Sequence, residues 1–239
     1  MIYFLIPVYN ESANLDLLTR HLKSVLPARI KFYVFSDDGS SDNSVEVIKK
    51  FFQEENNFIV LGDGSNHGPG YAFNTGFEWI LQHSKDSNDL IVTLEADNTS
   101  DISILPNMIA ISEMGFDLVL ASVYAQGGGF EKTSFFRKLL SFGANLFLRF
   151  AFDISVLTLS SFYRVYKIDI LRKVKTKYTP IMQEKGFISM IELLIKIIRC
   201  EGKIIEHPMK LYSSKRMGKS KMKILKTSIS YIRFLIKNF

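Results

Sequence analysis

The chain has 239 residues and a formal net charge of +6, with 47% hydrophobic and 23% charged residues. These proportions are typical of a folded globular domain and exclude a largely disordered chain. The single cysteine, Cys200, excludes an internal disulfide, and no spacing of cysteine and histidine resembles a zinc site.

Short apolar runs alternate with helical patterns in the first half of the chain. We predict strands at 2–8, 30–35, 58–61, 90–94 and 118–121. The intervening patterns predict helices at 12–25, 42–52, 69–83 and 102–114. This alternation favours one α/β domain, in which a mainly parallel sheet carries helices on both faces. Ligands of such sheets bind beyond the carboxyl ends of the strands.

The later part of the chain contains two long apolar helical patterns. The stretch 135–152 is rich in aromatic residues on more than one stripe, which suits a core helix or a helix shared between protein and lipid. The tail 222–239 predicts a basic amphipathic helix, either in a membrane interface or docked with a solvated basic face. We therefore expect a domain at 1–221 and a terminal helix at 222–239. Neither a secretory signal nor a spanning helix of about 20 residues is predicted.

Two carboxylates follow the fourth predicted strand in the segment Glu95-Ala96-Asp97. On an extended segment, side chains two residues apart point the same way, so Glu95 and Asp97 can face one point. A hard divalent cation takes one or two protein carboxylates and completes its shell with substrate phosphates. The pattern therefore predicts a site for Mg²⁺ or Mn²⁺ beside a phosphate ligand.

Polar groups also follow the first two strands. Asp38, in a second acidic cluster at 37–40, can accept from a base or a sugar hydroxyl; the cluster also fits a tight turn with a helix cap. Tyr9 can stack on a base and Glu11 can accept from it, although Glu11 alone is typical of a helix's first turn. The glycine-rich segment 66–76 suits either phosphate binding or close packing.

In this order the segments resemble glycosyltransferase family 2, most closely its dolichol-phosphate mannose synthase and polyprenyl-phosphate glycosyltransferase branch. The matching segments are 7–11, 37–40 with Asp42, 66–76, 95–97, Arg137 with Ser141 and Asn145, 161–166, 185–187 with Glu192, and 216–221. The resemblance covers nearly the whole chain. It implies a GT-A fold, a nucleoside diphosphate sugar donor, a divalent metal and transfer of the sugar with inversion.

The resemblance also implies a role for each matching residue. The residues that would bind the nucleotide donor are Pro7, Tyr9, Glu11, Asp38, Ala96, and either or both of Lys215 and Arg216. Asp97 with Glu95 would hold Mg²⁺ or Mn²⁺. Lys221, and either Lys215 or Arg216, would meet phosphate charge from the donor or the acceptor. Arg137 would meet the phosphate of a lipid acceptor, although a lone arginine on a helix equally suits a surface salt bridge. Metal and cationic side chains would stabilise the charge that develops on the leaving diphosphate.

Four positions depart from the pattern of these relatives. Glu95 replaces an aspartate, Thr99 a glutamine, Val123 an arginine near the donor phosphates, and Thr158 an acid. Two altered groups at the metal and one lost cation predict a different nucleotide sugar or, as the stronger inference, a weakened or inactive enzyme.

Our main functional hypothesis is transfer of a sugar to a polyprenyl phosphate by a protein bound peripherally at the cytoplasmic face of the membrane. A membrane-anchored protein partner is left open, and nucleic acid is not an expected partner. One alternative is transfer to a saccharide hydroxyl for surface polysaccharide, which requires a carboxylate base such as Glu192. Another is a non-catalytic module that binds nucleotide sugars or membranes.

Overall fold

The computed structural model describes residues 1–132, 135–218, 230–231 and 233–236, and for 135–142 and 144 the backbone alone. The strands are β1 Ile2–Val8, β2 Lys31–Asp37, β3 Phe58–Leu61, β4 Leu90–Thr93, β5 Leu118–Ser122, β6 Gly129–Glu131, β7 Arg164–Lys167, β8 Ile204–Pro208 and β9 Lys210–Tyr212. The helices are α1 Ser12–Ser24, α2 Ser44–Phe51, α3 Pro69–His83, α4 Leu105–Glu113, α5 Phe135–Phe152, α6 Ile168–Lys177 and α7 Ser189–Ile198.

Seven strands form one mixed sheet in the order β3-β2-β1-β4-β7-β5-β8. β7 is antiparallel to both of its neighbours, and the other pairings in this sheet are parallel. β6 and β9 form a separate parallel pair. The predicted α/β architecture with a mostly parallel sheet is therefore confirmed.

Alternate side chains of the central strand β1 enter two different cores. Phe4 and Ile6 pack with α1, α2 and α4, whereas Tyr3 and Leu5 pack with α3, α6 and α7. Residues of a strand alternate between its two faces, so one short apolar run contributes to both layers. Helices consequently cover both faces of the sheet, as predicted.

The predicted strands and helices of the first half are present, with ends shifted by no more than two residues in most cases. The helix predicted at 102–114 begins instead with a 3-10 turn at Ile102–Ile104, and α4 starts at Leu105. Pro106 lies in the first turn of α4, where its missing N–H group costs nothing. The prediction gave no bounds for β6 to β9, α6 or α7, and several of these strands are too short for a clear periodicity.

The helix α5 has the predicted bounds, and its described side chains divide between core and surface. Asn145 and Leu148 are buried, whereas Phe150 is 90% exposed. The ring of Phe152 lies 5.8 Å from that of Phe234, so the end of α5 packs against residues near the C-terminus. Within the described part of the chain, no helix has the length and apolarity needed to cross a membrane. Most of 222–239 lies outside the described residues, and the division at 221 stays a prediction.

Candidate donor and metal site

The two predicted metal-binding carboxylates lie just beyond the carboxyl end of β4. Asp97 is 6% exposed, and its Oδ1 accepts hydrogen bonds from the Thr99 N–H (3.0 Å) and hydroxyl (2.6 Å). Glu95 is half-buried and accepts a bond from the Ser100 hydroxyl at 2.8 Å. Ala96 between them is buried. Each acid is thus held by a hydroxyl that follows it in the same loop.

Burial and the neighbouring charge of Asp97 raise the pKa of Glu95 to about 7. Removal from water disfavours the charged carboxylate, and a like charge nearby adds to this cost. Arg216 opposes the shift because its positive charge lies close by. A positive ligand would stabilise the ionised form of both carboxylates.

Arg216 supplies positive charge to this carboxylate pair. Its Nε donates to Asp97 Oδ2 at 2.7 Å, and its Nη2 donates to the same oxygen. The two residues are 119 positions apart in the chain. The structure therefore brings Arg216, predicted to meet phosphate, into direct contact with the predicted metal ligand.

The oxygen-rich donor set at the end of β4 fits Mg²⁺ or Mn²⁺. Besides the two carboxylates, the side-chain oxygen of Asn98 is buried and has no hydrogen-bond partner among the described residues. No group of three or more His, Cys, Asp or Glu converges within the described part of the chain. Protein groups would therefore complete only part of a coordination shell, and substrate phosphates would supply the rest, as these cations allow.

The acidic cluster after β2 is bonded mainly to backbone N–H groups. Asp38 is 5% exposed; its Oδ1 accepts from the His67 N–H at 2.7 Å, and both of its oxygens lie within 3.0 Å of the Gly68 N–H. Burial raises the pKa of Asp38, and these N–H groups oppose the shift. Asp38 thus anchors the start of the segment 66–76, and its predicted contact with a nucleoside stays a prediction.

Asp37 lines a cavity on the α2 side of the sheet edge. Its Oδ1 is buried and has no hydrogen-bond partner in the described structure, while Oδ2 accepts from the Ser40 N–H at 3.1 Å. The cavity of about 230 Å³ is also lined by Val45, Lys49 and Gly62. A carboxylate oxygen and an ammonium group beside one cavity can recognise a ligand that carries both donors and acceptors.

The ends of β1 and β2 are joined by side-chain hydrogen bonds. Asn10 has a left-handed backbone (φ 53°), and its side-chain oxygen accepts from the N–H groups of Ser41 and Asp42. Asp42 accepts in turn from the N–H groups of Ser12 and Ser44. The predicted turn is present, but the N-cap residue of α2, Asn43, makes no side-chain capping bond; Asp42 instead accepts from the first N–H group of both α1 and α2.

The predicted nucleoside-binding residues of β1 lie at the edge of this joined loop. Pro7 pairs with Ser36 in the sheet, and Tyr9 and Glu11 follow it, all three half-buried. Nothing in the described structure tests whether they bind a base.

Other predicted site residues have varied surroundings. Lys215 is exposed, and its ammonium lies 4.2 Å from the centre of the Tyr212 ring. The side chain of Arg137 and the whole of Lys221 lie outside the described residues, so their roles stay predictions. Glu192 is buried, forms an ion pair with Lys196 at 2.6 Å, and accepts from the N–H groups of residues 183 and 184. These contacts indicate a bracing role for Glu192.

Arg164 and Thr158 also act within the scaffold. Arg164 is fully buried and donates to the carbonyl oxygens of Leu159, Ser161 and Met190. The Thr158 hydroxyl lies 2.7 Å from that of Ser122. These contacts tie the loop before β7 to the neighbouring elements.

The sequence analysis did not identify Asn14, which connects three parts of the site. It lies on α1, is 2% exposed, and bonds to both backbone polar groups of Met217. Its Nδ2 also donates to Glu11 Oε2 at 2.6 Å, and its carbonyl accepts from Asn98 Nδ2 at 2.8 Å. The sequence carries no local signal for this role, because Asn14 shares its buried helix face with a second polar residue, Thr19.

Known proteins are similar to this chain over most of its length. Polyprenol monophosphomannose synthase of Mycolicibacterium smegmatis is 26% identical over 219 residues, which cover 91% of this chain and 79% of that protein. Undecaprenyl-phosphate mannosyltransferase of Micrococcus luteus is 26% identical over 218 residues, covering 91% of this chain and 86% of that protein. Both names match the branch that the sequence motifs resemble.

Solved structures show the same fold. Glucosyl-3-phosphoglycerate synthase of Mycobacterium tuberculosis, in complex with Mn²⁺ and UDP-glucose, superposes with a TM-score of 0.66 at 14% identity, over 96% of this chain and 75% of that chain. The GT-A fold predicted from the motifs is confirmed. The family model of glycosyl transferase family 2 matches residues 3–175. With this match, the fold and the paired carboxylates beyond β4, the chain belongs to glycosyl transferase family 2.

Proposed function

We propose that this glycosyltransferase transfers a sugar from a nucleoside diphosphate to a polyprenyl phosphate, with inversion at the anomeric carbon. The proposal rests on the paired carboxylates of Glu95 and Asp97, and on Arg216, which donates to the carboxylate of Asp97. Such a pair fits a metal-bound diphosphate, and the two relatives named above act on polyprenol and undecaprenyl lipids.

In the proposed reaction, a phosphate oxygen of the acceptor attacks the anomeric carbon and forms the new C–O bond. The bond from that carbon to the diphosphate breaks, and the nucleoside diphosphate leaves with the electron pair. Mg²⁺ or Mn²⁺, when bound at Glu95 and Asp97, would supply positive charge to the leaving group. Arg216, Lys215 and Lys221 are the chain's own candidates for neutralising phosphate charge.

A phosphate acceptor and a saccharide acceptor differ in whether a catalytic base is needed. A phosphate is already an anionic nucleophile, whereas a sugar hydroxyl requires a group that removes its proton. Glu192, the candidate base for that alternative, is bonded to Lys196 and to backbone N–H groups. We therefore favour the lipid phosphate, with Arg137 near the acceptor.

The acceptor lipid implies contact with a membrane, and we propose that the end of α5 makes it on the cytoplasmic side. The large apolar side chains exposed there are Leu146 (53%), Phe147 (59%), Phe150 (90%) and Ile236 (77%). A groove of about 380 Å³ lies among residues of this patch and is almost wholly apolar. Arg233 beside it is exposed, and cations next to an apolar face favour anionic headgroups.

Sedimentation with vesicles tests the membrane contact. Vesicles that contain anionic lipid should bind the wild type and bind Phe150→Ser about 30-fold more weakly, because burial of a phenylalanine stabilises by about 2 kcal/mol. Ile30→Ser is the matched control, since Ile30 is 74% exposed and lies outside this patch, just before β2. Equal binding by wild type and Phe150→Ser would contradict the contact.

The transfer itself is tested with labelled UDP-sugars and GDP-sugars, Mn²⁺ or Mg²⁺, and either undecaprenyl or dolichyl phosphate. We expect a labelled glycolipid with one of the donors and none with Asp97→Asn. A product only with saccharide acceptors would support transfer to a hydroxyl instead. Donor binding without transfer or hydrolysis would support a non-catalytic module, and the absence of metal-dependent nucleotide binding would refute the proposal.

A further inference from the structure

We propose that Arg216 occupies the cation position on Asp97 until metal and donor bind together, and that Asn14 is the positioning residue that holds Arg216 there. The inference rests on the proposed function for the identity of metal and donor. It adds that metal binding requires the displacement of a side chain of this chain.

The first support is that both oxygens of Asp97 are already occupied. Oδ1 accepts two bonds from Thr99, and Oδ2 accepts two from Arg216. Asp97 is 6% exposed, so water does not replace these partners readily. A divalent cation that bound Oδ2 would meet the guanidinium at the same oxygen, and the two positive groups would repel each other.

The second support is the clamp that holds the segment bearing Arg216. Met217 donates its N–H to Asn14 Oδ1 at 2.9 Å, and its carbonyl accepts from Asn14 Nδ2 at 3.1 Å. Asn14 and Met217 are 203 positions apart in the chain. Asn14 also accepts a bond from Asn98, the residue after Asp97, so one residue fixes the carboxylate loop and the arginine segment together.

The third support is that polar contacts, rather than apolar packing, hold this segment. The Met217 side chain is 61% exposed, and Gly218 has a left-handed backbone (φ 93°) with open space on the side where a β-carbon would stand. Polar contacts can be exchanged for equivalent contacts with a ligand. The fork of an arginine matches phosphate oxygens, so a diphosphate can take Arg216 from Asp97 as the metal arrives.

The consequence is coupling between metal and nucleotide. Without a nucleotide, the metal must displace Arg216 from Asp97, and the guanidinium gains no new partner. Metal binding is therefore weak. With a diphosphate present, Arg216 gains phosphate oxygens and Asp97 gains the metal. A ligand that removes a competing contact raises the affinity for the second ligand, and the effect is reciprocal.

Titration with Mn²⁺, followed by the electron paramagnetic resonance signal of the free ion, tests the competition. In the absence of nucleotide we expect Arg216→Gln to bind Mn²⁺ at least tenfold more tightly than the wild type. Lys210→Gln removes an equal charge from an exposed position on β9 and should change the affinity by less than twofold. UDP should raise Mn²⁺ affinity by a much larger factor in the wild type than in Arg216→Gln.

Equal nucleotide-free Mn²⁺ affinity in the wild type and Arg216→Gln would overturn the proposal. Asp97→Asn separates this failure from failure of the proposed function. If Asp97→Asn binds Mn²⁺ as the wild type does, the metal site itself is wrong. If Asp97→Asn abolishes binding and Arg216→Gln has no effect, only the competition is wrong.

Two variants test the role of Asn14. Asn14→Ala should tighten nucleotide-free Mn²⁺ binding several-fold, and should add nothing to Arg216→Gln in the double variant, because both changes act through one contact. Met217→Pro removes the clamped N–H without altering α1, and Arg216 already has the extended backbone (φ −67°, ψ 123°) that a following proline requires. Wild-type affinity in a folded Met217→Pro variant, or additive effects in the double variant, would refute the positioning role.

Discussion

The carboxyl ends of β2 and β4 both carry acidic clusters, but the partners of their carboxylates differ. Asp38, after β2, accepts from backbone N–H groups of the segment that leads into α3. Asp97, after β4, accepts from the side chains of Arg216 and Thr99 as well as from one N–H group. Backbone partners are fixed by the fold, whereas a long side chain can move away. Of these two carboxylates, Asp97 is therefore the one whose side-chain partner a ligand can replace.

The largest expected effect is that of Asp97→Asn on catalysis. The variant should transfer sugar at least about 100-fold more slowly, because charge stabilisation by a metal is worth several kcal/mol and each 1.4 kcal/mol is about tenfold. Its free energy of unfolding should fall by about 1 to 3 kcal/mol, because the amide oxygen can still accept from Thr99 but the ion pair with Arg216 is lost. Initial rates measure the effect on catalysis, and urea denaturation measures the effect on stability. A wild-type rate would contradict the catalytic role of Asp97.

Asp38→Ala should act mainly on stability. It leaves the N–H groups of His67 and Gly68 without their acceptor, at a cost of about 2 kcal/mol in the free energy of unfolding. Asp63→Ala is the control, because this exposed acid also bonds to His67 and its loss should have a much smaller effect than that of Asp38. Urea denaturation compares the two variants, and equal small losses would contradict a structural role for Asp38.

Glu95→Gln should weaken Mn²⁺ binding in the presence of UDP by about tenfold, less than Asp97→Asn. The amide keeps a partner for Ser100 but removes one of the two negative charges that attract the cation. Mn²⁺ titration measures the effect, with the exposed Glu113→Gln as the control. An unchanged affinity would restrict the metal site to Asp97.

Thr99→Val should have the smallest effect, about a fivefold loss of transfer rate. It removes the hydroxyl bond to Asp97 Oδ1, worth about 1 kcal/mol, while the N–H bond to that oxygen remains. Thr99→Ser restores the hydroxyl and should recover the rate. Initial rates of all three proteins decide the point, and failure of serine to rescue would show that Thr99 acts through packing.

Much of the first half of the fold could be predicted because its signals are local. The apolar run of β1 and the alternation of its faces are visible within a few residues. The position of β7 between β4 and β5, antiparallel to both, could not be predicted, because strand order depends on pairing between distant segments. Likewise α2 starts at Ser44 rather than at residue 42, because Asp42 bonds outward to Ser12 as well as to Ser44.

The α/β class and the family follow from the sequence alone, because short-range periodicity and motif order carry that information, and the same motifs predict Glu95 and Asp97 as metal ligands. Which acids accept from backbone N–H groups and which from an arginine side chain is visible only in the folded protein. The Asp97–Arg216 and Asn14–Met217 contacts span 119 and 203 positions. Contacts between such distant segments leave no local pattern in the sequence. They form only when the segment after β9 meets the segments that follow β1 and β4, at the carboxyl ends of these strands.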